Sequence, residues 1–179
     1  MLSLFDDGAF APCPAPFNLA GYVLAQAAAQ PDKIALAVVG PRGAERWSYA
    51  RLEAAVLGVA GGLAAMGLPP GAPVLLRLGN TVDFPIAFLA AIAAGLMPVP
   101  TAAALTGPEI SKLAAELDPA LVIAGPGVAL PDHGAPVLDK AGLEALFDHA
   151  PGTYAMGDPN RPAYMIYTSG TSGVPRGVV

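Results

Sequence analysis

A chain of 179 residues suits one domain with its own hydrophobic core. A formal net charge of −5, with the few basic residues scattered, argues against nucleic acid or an anionic membrane surface as partner. Charged residues make up 13% of the chain, against roughly 25% in an ordinary soluble domain, and apolar residues, many of them alanine, reach 54%. An alanine-rich complete domain and a piece whose apolar faces meet further chain both fit that composition.

Residues 1–16 read as loop, with Pro12, Pro14 and Pro16 closely spaced. Met1 to Phe10 holds Asp6 and Asp7 and no basic residue, so it lacks the positive start and apolar core of a secretory signal. Cys13 is the single cysteine, which rules out an intrachain disulfide and fits a reducing cytoplasm, the expected location. Asn18 is a candidate N-cap for a helix to about Gln30, ended by Pro31. Ile34 to Val39 and a short strand near Glu45 to Trp47 flank the turn Gly40-Pro41-Arg42-Gly43 and predict a hairpin. Ser48 offers a second cap, and Leu52, Val56, Val59, Leu63 and Met66 recur at helical spacing up to Gly67.

Pro73 to Leu78 has the length of a buried strand, a helix follows from Asn80 and Thr81 to about Gly95, and Met97 to Pro100 is again extended. Phe84 to Leu105 carries no charge, but Pro85, Pro98 and Pro100 break it, so a buried helix and strand fit better than a membrane span. Thr106-Gly107-Pro108-Glu109 is a capping box with proline in the first turn, opening a helix to Leu117. Leu121 to Ala124 is a short strand, 125–136 a loop, 139–149 a weak helix, and Ala163 to Thr168 a last strand. Strands alternating with helices predict an α/β fold, a largely parallel sheet flanked by helices.

The last strand leads into Thr168, Ser169, Gly170, Thr171, Ser172, Gly173, Val174, Pro175, Arg176 and Gly177. Glycines let successive backbone N–H groups converge on an anion, hydroxyls add adjustable donors, and Arg176 adds a permanent charge with a fork that matches phosphate oxygens. A flexible linker is the plainer reading of serine and glycine. The apolar strand directly before the run, and the stiffening Pro175 within it, favour a phosphate-binding loop. The spacing is neither that of a Walker A loop nor that of a dinucleotide fingerprint. His133 and His149 lack metal-spaced partners, Asp139, Glu144 and Asp148 read as a solvated helix face, and Trp47 and Tyr49 as packing residues.

The run Tyr167-Thr168-Ser169-Gly170-Thr171-Ser172-Gly173-Val174-Pro175-Arg176-Gly177 resembles the signature of the adenylate-forming superfamily of acyl-CoA synthetases, peptide-synthetase adenylation domains and luciferases. Further landmarks resemble the same family in order: Trp47 to Leu52, Gly71 to Val74 (with Ala72 in place of the usual aspartate), Leu78 to Phe84, and Ala94 to Pro100. The resemblance covers about residues 18 to 179 and implies that 1–179 is a partial N-terminal adenylation domain, an incomplete subdomain ending just after its phosphate loop. It further implies a parent that is an ATP-dependent carboxylate–CoA ligase using ATP, Mg²⁺ and coenzyme A, with a small or aromatic acid favoured.

By that resemblance Thr168, Ser169, Gly170, Thr171, Ser172, Gly173 and Arg176 hold the β- and γ-phosphates, with Arg176 where the family usually has lysine. No catalytic residue and no metal ligand falls within this stretch, and the chain by itself is expected to be inactive and to self-associate. A peptide-synthetase-type adenylation domain and a non-catalytic stand-alone interaction module are the alternatives.

Overall fold

The computed structural model describes residue 8 and residues 11–41, 43–169 and 175–179. Its centre is a four-stranded parallel sheet of β3 (Pro73–Arg77), β4 (Met97–Pro100), β5 (Leu121–Ala124) and β6 (Val137–Leu138) in the order β4-β3-β5-β6. The inner strands are apolar without alternation because both faces are covered. Val74, Leu76, Leu121 and Ile123 face a large core containing α2 (Tyr49–Ala65) and α3 (Asp83–Ala93), whereas Leu75, Val99 and Val122 face α4 (Gly107–Leu117) through Ile110, Leu113 and Ala114. The α/β class expected from the alternation is the one observed.

Two antiparallel ribbons flank the sheet: β1 (Ile34–Gly40) with β2 (Gly43–Ser48), as expected, and β7 (Ile166–Ser169) with β8 (Pro175–Val178). Caps read from sequence form as expected. Ser48 accepts the Arg51 amide at the start of α2, and Thr106 and Glu109 form the reciprocal capping box of α4. Trp47 lies in the core, as expected of a packing residue.

The helix expected from Asn18 to Gln30 is shorter. α1 spans only Leu19–Val23, and the amides of Ala25, Ala27 and Ala29 then bond the carbonyl three residues back. Leu24 and Ala27 are buried three residues apart, a spacing that these tighter turns satisfy. Asn18 does more than cap. Its side-chain oxygen accepts from Ala20 and Gly21, and its amide donates to Ile92 (2.9 Å) and Ala155 (3.0 Å), tying α1 to the end of α3 and to the later chain. Instead of a helix over 139–149, α5 spans Lys140–Ala145, capped by Asp139.

One face of α2 is made of glycine where residues 146–152 cross it. A Cβ on Gly61 would lie 2.1 Å from the Ala150 carbonyl oxygen, and one on Gly58 would lie 2.4 Å from that of Phe147. Alanine gains about 1 kcal/mol of helix propensity, but here the backbone must separate, at a cost of about 1–3 kcal/mol. Gly61→Ala is therefore expected to lower Tm, and a raised Tm would contradict the close approach.

Tyr154, in the same crossing region, donates to Glu53 Oε1 at 3.0 Å. Burial, and then this carboxylate, push its phenol well above the usual value. The fold thus holds the proton more tightly than the unfolded chain does. The stability this contributes is intact below the ordinary tyrosine pKa of about 10 and falls as pH rises past it. Denaturant titrations across that range should show a shallower decline for Tyr154→Phe. An unchanged slope would show that another group governs it.

Candidate functional site

Of the phosphate-loop candidates, Thr168, Ser169 and Arg176 fall on the β7–β8 ribbon. The chain enters it through the Met165 amide, which donates to the Pro98 carbonyl of β4 at 3.1 Å. Met165 and Tyr167 pack against the α4-side core, while Tyr164, Ile166 and Thr168 are exposed on the opposite, outward face. Gly177 crosses Met165 so closely that a Cβ there would sit 2.7 Å from the sulfur. The Tyr167 phenol is pushed up by burial and, less, by the charge of Glu116.

Ribbon register sets the geometry of the site. Thr168 pairs with Arg176 and Ser169 with Pro175. Cross-strand partners share a face, so the Thr168 hydroxyl and the Arg176 guanidinium leave the ribbon side by side. Both are exposed, and among the described residues Arg176 forms no ion pair. Thr168, Ser169 and Arg176 are therefore strand residues, whereas the sequence placed Ser169 and Arg176 in a loop and missed β8. Pro175 hides that strand, because proline is tolerated only at positions such as a strand's first residue. Gly170, Thr171, Ser172 and Gly173 lie outside the described residues.

A concave feature lies at the carboxyl ends of the parallel strands. β4 lies on one side of β3 and β5 on the other, so the connections diverge between β3 and β5, the place where open α/β sheets form a ligand crevice. There a cleft of about 450 Å³ is lined by Gly79, Thr81, Asp83, Ala103, Ala104, Gly125–Val128 and Lys140. Asp83 is 2% exposed. Its Oδ2 accepts from Lys140 Nζ at 2.9 Å and from Thr81 Oγ1 at 3.1 Å, while Oδ1 has no partner among the described residues. Lys140 also reaches Glu144 at 2.7 Å, and the Glu144 bond, then the Asp83 bond, raise its pKa. Sequence reasoning missed this pair because its members are 57 positions apart.

Among the described residues no group of three or more His, Cys, Asp or Glu could hold a metal ion. His133 instead lies 3.3 Å from Asp118, and no helix of the described residues is long and apolar enough to cross a membrane.

Comparisons with known proteins agree with the motif. A family model described as AMP-binding enzyme matches residues 23–179. The chain is 31% identical to the long-chain-fatty-acid–CoA ligase FadD13 of Mycobacterium tuberculosis, covering 89% of this chain and 34% of the relative. It is 32% identical to 4-coumarate–CoA ligase 5 of Oryza sativa, covering 93% and 33%. Among solved structures, the inhibitor-bound N-terminal domain of FACL13 from Mycobacterium tuberculosis superposes with a TM-score of 0.75 at 28% identity, over 91% of this chain and 44% of that one. The chain thus spans about a third of the length of these curated relatives. The match over nearly its whole length, with the hydroxyl- and glycine-rich run inside it, places the chain in the family of AMP-binding enzymes.

Proposed function

We propose that this chain supplies the polyphosphate-gripping ribbon of an ATP-dependent carboxylate–CoA ligase. The observation that carries the reading is the side-by-side exposure of Thr168 and Arg176 where β7 and β8 meet the glycine- and hydroxyl-rich segment 170–174. A guanidinium with no carboxylate partner among the described residues, next to a hydroxyl, fits a phosphate anion and offers nothing to a divalent metal. Mg²⁺, in this reading, is held by residues outside the described set.

In the proposed reaction a carboxylate oxygen attacks the α-phosphorus of ATP, and the bond to the bridging oxygen of the departing pyrophosphate breaks. The product is an acyl-adenylate. A thiol, here assigned to coenzyme A, then attacks the acyl carbon and releases AMP. Thr168, Ser169, Gly170, Thr171, Ser172, Gly173 and Arg176 are assigned to the β- and γ-phosphates. There they would offset charge on the leaving group and hold the α-phosphorus in line.

A small or aromatic acid is the favoured substrate, supported by the relative that acts on 4-coumarate and by one at 34% identity from Rhodopseudomonas palustris that acts on 4-hydroxybenzoate and benzoate. The reaction is assigned to the cytoplasm. By this reading, residues 1–179 alone are a partial adenylation domain that catalyses nothing. They also self-associate through exposed apolar residues of the outward ribbon face such as Ile166 and Val178.

Carboxylate-dependent exchange of labelled pyrophosphate into ATP, measured on the full chain that contains these residues, tests the assignment. Arg176→Ala is expected to slow it by about a hundredfold or more, and Arg176→Lys to stay within about tenfold, because charge survives but the fork is lost. Exchange by Arg176→Ala within about twofold of the unmutated protein would remove Arg176 from the phosphate site. Acyl-adenylate formation by the 179 residues alone would refute the claim that they are inactive.

A further inference from the structure

We infer that Arg77 is the positioning residue of the cleft at the sheet's switch point, the internal cation around which the wall of residues 101–105 is folded. The inference goes beyond the ligase reading and does not depend on it.

Arg77 ends β3 and is fully buried, yet no carboxylate pairs with it among the described residues. Carbonyls and one hydroxyl surround it instead. Nε donates to Ala129 at 3.0 Å, Nη1 to Thr101 Oγ1 at 3.2 Å and to the Ala102 carbonyl, and Nη2 to the carbonyls of Ala103 (3.3 Å) and Leu105 (3.1 Å). The guanidinium's five N–H donors find five acceptors, so its charge is matched by dipoles alone. Burial lowers its pKa, but a guanidinium starts far above neutrality and stays protonated.

The acceptors come from two segments that wall the cleft, one after β4 and one after β5. Ala103 and Ala104 line it on one side, and Gly125–Val128 line it just before Ala129 on the other. Each wall has a single half-buried apolar side chain at its far end, Leu105 and Val128, packed against the α4-side core. Ala102, Ala103 and Ala104 are exposed, and Gly125 to Gly127 offer little side chain to bury. A stretch with so little packing opens easily, and the hydrogen bonds from beneath hold it between those anchors. Thr101 strengthens the arrangement, because its hydroxyl donates to the Leu76 carbonyl at 2.9 Å while accepting from Arg77.

Hydrogen exchange read by mass spectrometry on the full chain tests this. In Arg77→Ala, amides of residues 102–106 and 128–130 are expected to exchange about tenfold faster or more, while β3, β4 and β5 keep their protection. Millimolar methylguanidinium, which fits the vacated cage, should slow those amides in the variant and leave the unmutated protein unchanged. A uniform rise across the sheet, unchanged loop exchange, or no rescue would overturn the proposal. Should the variant not fold, the Nε–H of Arg77 in arginine-labelled unmutated protein decides. Slow exchange with water is expected of a proton held by Ala129, and exchange as fast as that of the exposed Arg46 and Arg51 would overturn it.

Discussion

Everything in this molecule is arranged around the burial of β3 on both faces. A strand paired on each side, to β4 and β5, leaves no free backbone edge, and its side chains must then find cover above and below. Val74 and Leu76 require the α2–α3 layer, and Leu75 requires α4. Alanine follows from the same demand. α3 buries Ala87, Ala90, Ala91 and Ala93, so it is apolar on nearly every side and can lie close to its neighbours without large side chains between. The glycine face of α2 carries this further, letting backbone cross backbone at residues 146–152.

Such a strand has room for charge only at its carboxyl end, and that is where charge appears. Arg77 takes its compensation from carbonyls, and Asp83, at the start of the following helix, takes half of its own from Lys140 and Thr81. The two solutions differ in consequence. A guanidinium satisfied by backbone dipoles makes the segments that supply them rigid. A buried carboxylate with one oxygen unmatched among the described residues is an unfinished interaction beside a cleft, and a donor that enters there is favoured.

Local structure was legible where the signal is local. The capping box of Thr106 and Glu109, the cap at Ser48, the β1–β2 hairpin and the apolar inner strands are each determined by residues within a few positions, and each formed as read. The hydroxyl- and glycine-rich run is likewise a local signal, and it pointed to the family; of its expected site residues only Thr168, Ser169 and Arg176 can be placed. What escaped depends on partners distant in sequence. Nothing near Arg77 announces five acceptors 24 to 52 positions away, and nothing near Lys140 announces Asp83. The glycines of α2 read locally as helix weaknesses, and only the crossing segment shows why they are needed. β8 escaped because Pro175-Arg176-Gly177 has poor strand propensity, which pairing with β7 overrides.

The shortage of charge follows in large part from how much of the chain the fold buries. Most of the apolar excess is consumed inside, in the two cores on either side of the sheet. Part of the remainder lies on the outward face of β7–β8, where Ile166 and Val178 pair with each other and Tyr164 leans on Phe88 at 5.5 Å between ring centres. Thr168 and Arg176 share that face, so the polar pair proposed for phosphate sits two residues along the strand from an apolar strip. A surface that covered the strip would also lower the dielectric around Arg176 and strengthen its attraction for an anion. On the proposed phosphate reading, anion binding and coverage of the ribbon would be coupled through one short face, which is the physical reason to expect such a site to mature only when that face is occupied.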